Sequence, residues 1–241
     1  MPTDPVVVCE VPDGLGLIEV TGNDWASLLL IGGRPVVLEG SDCCGSIGWL
    51  ASRAGGPDAP TPAEAKALTA WLAAPELAAD PLTGSCPPPD PERLRPLLQL
   101  LAPGRYSMTA ARAPQPLRVV HPRSGHVESW YADEELALVT TDHWPPPDRD
   151  AVRAYVRRIR AGERPALVAL SPAGDSLAAY LLDGHHKLEA YHQAEVPPLI
   201  IRLTPVDPAP FRLQDCEPVH EVFPGEPLIR TFRYIRGERT A

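Results

Sequence analysis

Residues 180–192 read Tyr-Leu-Leu-Asp-Gly-His-His-Lys-Leu-Glu-Ala-Tyr-His, and chemistry concentrates there. An apolar strand runs into Asp183-Gly184, and His185, His186 and Lys187 open a helix. A helix start exposes backbone N–H groups and the positive end of the macrodipole, so it attracts anions. Gly184 has no Cβ and would let a ligand approach the backbone closely. The two histidines and the lysine add donors where a phosphate would sit. Only two lysines, Lys66 and Lys187, occur among 22 basic residues, so Lys187 stands out in a chain that otherwise uses arginine. A compact ammonium suits a single phosphate oxygen, whereas a guanidinium fork suits bidentate contact.

If a phosphate bound there is transferred, the chemistry also needs a base at the acceptor hydroxyl and a cation, usually Mg²⁺. His186 is one candidate catalytic residue. Asp142 and His143, which end a predicted strand, and Glu163, just before Pro165, are the others. Each of the last three has a structural alternative: a turn hydrogen bond for Asp142, a loop position beside Trp144 for His143, and a solvated carboxylate for Glu163. His185, Glu189 and His192 share a helix face, which suits either a metal or plain solvent exposure.

The elements that must position these groups follow from periodicity. Short strands are expected over 5–11, 14–20, 27–31 and 35–39, split by Asp13-Gly14, Gly22-Asn23 and Gly32-Gly33. Thr61 caps an expected helix over 62–74, and a second short helix is expected over 92–101. A proline-rich linker spans 81–91. Residues 117–121 and 127–132 read as a hairpin around Pro122-Arg123-Ser124-Gly125. A strand over 136–141 precedes a helix over 149–161, marked by the apolar stripe Ala151, Val152, Tyr155, Val156 and Ile159 and closed by Gly162. Arg153, Arg157 and Arg160 lie on its other side. Strands at 166–170, 177–182 and 197–203 surround the helix over 185–194, and a last strand is expected near 229–235.

From Leu136 to Leu203 the order is strand, helix, Gly162, Pro165, strand, strand, Asp-Gly-His-His-Lys, helix, Val196-Pro197, strand. This order resembles the ParB/sulfiredoxin superfamily. Gly184-His185-His186-Lys187-Leu188-Glu189-Ala190 is similar to its Gly-x-x-Arg-x-x-Ala helix start, with lysine for arginine. The Asp-Gly-His-His-basic form is most similar to the branch of free-serine kinases. The resemblance implies an α+β fold, a mixed sheet with helices in residues 116–241; the runs in residues 1–115 read separately as a preceding β-rich lobe with two short helices. The resemblance also implies that Asp183, Gly184, His185, His186 and Lys187 hold a nucleotide polyphosphate, ATP or ADP with CTP as the third candidate, together with Mg²⁺. The implied activity is phosphoryl transfer to a small hydroxyl compound such as a free amino acid. The alternative is a nucleotide-binding switch that contacts a protein or DNA through Arg153, Arg157 and Arg160.

Composition bounds the partners. The 241 residues carry a net charge of −9, which disfavours broad contact with nucleic acid. No apolar run is long enough to cross a bilayer, and Met1-Pro2-Thr3-Asp4 does not open a signal sequence. The five cysteines, Cys9, Cys43, Cys44, Cys86 and Cys216, include no C-x-x-C pair, so neither a disulfide framework nor a zinc site is expected. A cytoplasmic protein is the expectation.

Overall fold

The structure is a computed structural model that describes residues 6–23, 26–42, 47–52, 88–113, 117–121, 127–131, 136–140, 148–172 and 178–210. Twelve strands and three helices fall in these ranges: β1 (Val7–Val11), β2 (Ile18–Asn23), β3 (Ala26–Ile31), β4 (Arg34–Asp42), β5 (Ile47–Ser52), α1 (Pro91–Leu98), β6 (Gly104–Arg112), β7 (Arg118–Val120), β8 (Val127–Tyr131), β9 (Ala137–Thr140), α2 (Arg149–Arg160), β10 (Leu167–Leu170), β11 (Ala178–Asp183), α3 (His185–Ala194) and β12 (Leu199–Pro205). The protein is thus α+β, as its sequence suggested. The expected helix over 62–74, the Pro122–Gly125 turn, the strand near 229–235 and all cysteines but Cys9 lie outside the described residues.

The strands form two sheets. One has seven strands in the order β1-β6-β12-β10-β11-β9-β7; the other has five in the order β2-β3-β4-β5-β8. The seven-stranded sheet is mixed: β7, β9 and β11 are mutually parallel, and β10 and β12 form a second parallel pair that runs against them. The expected hairpin of 117–121 with 127–132 does not form. β7 pairs with β9, and β8 pairs with β5 in the other sheet. Its short apolar runs fit either partner, so local pattern could not choose. Strand β6 was not anticipated. Its sequence, Gly-Arg-Tyr-Ser-Met-Thr-Ala-Ala-Arg, holds one β-branched residue, and only the burial of Tyr106, Met108 and Ala110 marks its inward face. β1 and β6, from the first 115 residues, complete the larger sheet, while β8, from the later half, completes the smaller one. The sheets therefore do not divide the chain at residue 115.

One face of each sheet meets in a shared core. Ile18, Val20, Leu29 and Val37 from the five-stranded sheet join Met108, Val168, Tyr180 and Ile201 from the seven-stranded one, with Leu94 and Leu97 of α1 closing one side. A second cluster, with Leu138, Leu167, Ala169, Leu181 and Ile200, lies on the other face of the larger sheet, and Leu188 of α3 packs on it. Val152, Ile159, Ala190 and Tyr191 join α2 to α3. Asp148 caps α2 through hydrogen bonds from the Asp150 and Ala151 N–H groups.

Candidate functional site

Parallel pairing makes β7, β9 and β11 end on one edge of the larger sheet. Val120 stands opposite Val139, and Leu181 opposite Thr140. The residues at that edge are therefore His121, Thr140 and Asp183, with Gly184 and the first turn of α3 beyond. Strand β10 runs the other way, with Val168 opposite Asp183, so Pro165 and Ala166 enter at the same edge. Carboxyl ends of parallel strands are where sheets of this kind place ligands, because helix starts and loops converge there.

Gly184 turns the chain from β11 into α3 with φ of 112°. A Cβ there would stand 2.6 Å from Leu167 Cδ2 and 3.3 Å from Leu167 Cα. The close approach that demands glycine is thus to Leu167 of β10. No side chain caps α3, whose N-cap is Gly184 itself.

Lys187 is placed differently from the expected phosphate cation. Its side chain is 5% exposed, and Nζ lies 2.7 Å from Asp183 Oδ2. The same ammonium donates to the Ala166 carbonyl at 3.0 Å. One turn later the Tyr191 hydroxyl donates to the Pro165 carbonyl at 3.1 Å. Lys187 and Tyr191 therefore staple α3 to the start of β10. Burial pushes the Asp183 carboxyl up, while the Lys187 ammonium, His186 and the Gly184 N–H oppose that rise. Asp183 and Lys187 act together as the frame of the turn.

The histidines gather at this edge. Burial, aided by His186 and His121, pushes His185 down to about 3, so its imidazole is neutral at pH 7. His186 is half-buried one residue further. His121 is exposed at the end of β7, with Nδ1 3.1 Å from the Thr140 hydroxyl. That hydroxyl donates to the Val120 carbonyl at 3.3 Å, so Oγ1 accepts from Nδ1–H and the basic lone pair of His121 falls on Nε2. His121 is the functional candidate that sequence reading missed. Its only signal was a histidine closing a short strand, and the parallel pairing with β9 is what brings it beside His185.

The remaining candidates are not drawn into this cluster. Glu163 is exposed and accepts from Arg158 Nε and Nη2 at 2.8 and 2.6 Å, which ties the turn after α2 to its last helical residues. Asp142 and His143 lie outside the described residues; they follow β9, which ends at Thr140 on the same edge. His185, Glu189 and His192 do not converge as ligands, and among the described residues no group of three His, Cys, Asp or Glu side chains is placed to hold a metal. Glu189 instead accepts from Gln193 Nε2 at 2.7 Å. On α2, Arg153 pairs with Asp150, and Arg160 reaches the Gln193 carbonyl at 3.4 Å.

Comparisons of the chain with protein-family models, with curated proteins and with solved structures find no match.

Proposed function

We propose that the protein is a nucleotide-dependent phosphotransferase acting on a small hydroxyl compound, with the nucleotide polyphosphate seated on the first turn of α3. One observation carries this reading: α3 starts, uncapped by any side chain, at the carboxyl ends of three parallel strands and beside His121, His185 and His186. Backbone N–H groups at a helix start receive phosphate oxygens, and the macrodipole favours their charge. The element order from β9 to β12, similar to that of the ParB/sulfiredoxin superfamily, supports the same reading.

Roles follow from the geometry. The first turn of α3 and His186 receive the phosphates of ATP, ADP or CTP, which would bring Mg²⁺ with it. His121, oriented by Thr140, serves as the base toward the acceptor hydroxyl through Nε2. Neutral His185 lines the turn, and Asp183 with Lys187 holds it in place. The small acceptor, such as a free amino acid, lies between His121 and the phosphate.

A thermal-shift panel with Mg²⁺ and ATP, ADP or CTP tests this. A hundredfold excess over Kd should stabilise the wild type by about 2.7 kcal/mol. His186→Ala should weaken that response, and His121→Ala should preserve binding while suppressing transfer, followed by phosphorus NMR with a panel of hydroxyl acceptors. If no nucleotide shifts the wild type, the reading fails.

A further inference from the structure

Among the described residues, most ion pairs form where water already screens them. Arg93, Arg95, Arg105, Arg153 and Arg158 each pair with an aspartate or glutamate, on side chains 35% to 64% exposed. Arg202 is the reverse case. It sits in β12, opposite Thr109 of β6 and Ala169 of β10, and is largely buried. Burial pushes its guanidinium below the ordinary arginine value, and no carboxylate among the described residues pairs with it.

Among the described residues its one hydrogen bond runs from Nε to the Ser171 hydroxyl at 3.0 Å. Ser171 is fully buried, and its own N–H is spent on the Leu203 carbonyl at 2.8 Å. The Ser171 contact uses the Nε corner of the guanidinium. Nη1 and Nη2 remain, and they form an edge that can bind an oxyanion bidentately. An unpaired, partly desolvated cation is costly unless something anionic joins it. Arg202 keeps enough exposure for a solute to reach it.

We infer that Arg202, held by Ser171, is a receptor for the oxyanion of a small solute, a phosphate or a carboxylate. Register puts Arg202 level with Ala169 and Leu181, two strand spacings, or about 10 Å, from β11, the strand that leads into α3. The start of α3 thus lies two strands away from the receptor, which does not depend on a nucleotide binding there.

Thermal shift with inorganic phosphate and with acetate, each against chloride at equal ionic strength, reads the site directly. The expected result is a saturable rise in melting temperature for one or both anions, with apparent affinity at least about tenfold weaker in Arg202→Met. Phosphate alone acting would mark a tetrahedral oxyanion, and acetate acting would mark a carboxylate. Ser171→Ala keeps the charge and should retain a weakened response, so the question stays open to test even if Arg202→Met does not fold. A response that persists in Arg202→Met but vanishes in His186→Ala would place the anion at α3 and overturn the inference. So would a wild type that responds no more than it does to chloride.

Discussion

Lys187 Nζ, in the first turn of α3, and Asp183 Oδ2, at the end of β11, stand 2.7 Å apart, with 5% and 19% of their side chains exposed. The chain's scarce lysine is thus committed to the interior. Lys187→Ala leaves a buried carboxylate without its cation and should cost about 3–5 kcal/mol in urea denaturation. The double variant Asp183→Asn/Lys187→Met should lose clearly less. Equal losses would show that the charge pair is not what holds the turn.

Gly184→Ala meets two obstacles, a φ of 112° and a contact of 2.6 Å with Leu167 Cδ2. It should destabilise by more than about 1 kcal/mol. Trimming Leu167 to alanine in the same chain should recover the steric part only, which a double-mutant cycle will resolve.

Acid should weaken the fold through His185. The unfolded chain takes up this proton near pH 6.5, whereas the folded chain refuses it until about 3. The stabilising contribution is complete above pH 6.5 and is lost as pH falls through that window. The limiting slope for one proton is about 1.4 kcal/mol per pH unit. Stability measured from pH 7 to pH 4 should fall less steeply in His185→Gln than in the wild type.

Between the sheets, the Ser27 hydroxyl donates to the buried carboxylate of Glu39 at 2.8 Å. It also lies 3.4 Å from the Tyr180 hydroxyl. Ser27→Ala removes a donor from a buried charge and should cost about 1–3 kcal/mol. Tyr180→Phe loses the longer contact and should cost less, as denaturant midpoints will show.

Thr140→Val removes the oxygen that orients His121. Nitrogen NMR should then show His121 losing its preference for the Nδ1–H form, with stability lowered by about 1 kcal/mol. An unchanged tautomer would mean that Thr140 does not set the ring.

Local pattern carried much of the fold. The apolar stripe of α2, the turn at Asp183-Gly184, and the runs that became β1, β3, β10 and β11 were all legible. Pairing was not. Nothing in Leu117–His121 or Val127–Tyr131 says that the first joins a parallel neighbour and the second another sheet, because partner choice depends on residues distant in sequence. β6 was hidden by its alanines and serine, which suit many conformations. At the site, helical spacing sets Lys187 on the same side of α3 as Leu188, Ala190 and Tyr191. Its burial follows from that phase, and its pairing with Asp183 from the one-turn spacing. His121 could be found only once β7 was known to lie beside β9.

The route of the chain through β7, β8 and β9 has a consequence for how the molecule is made. After β7 the backbone leaves the larger sheet, supplies β8 to the smaller one, and returns as β9. During synthesis the smaller sheet lacks an edge strand until β8 emerges. β6 likewise waits for β12, the partner that joins it and β1 to the rest of the larger sheet. Neither sheet matures alone, so closure of long loops dominates the folding barrier, and slow, late, all-at-once assembly is the kinetic signature to expect.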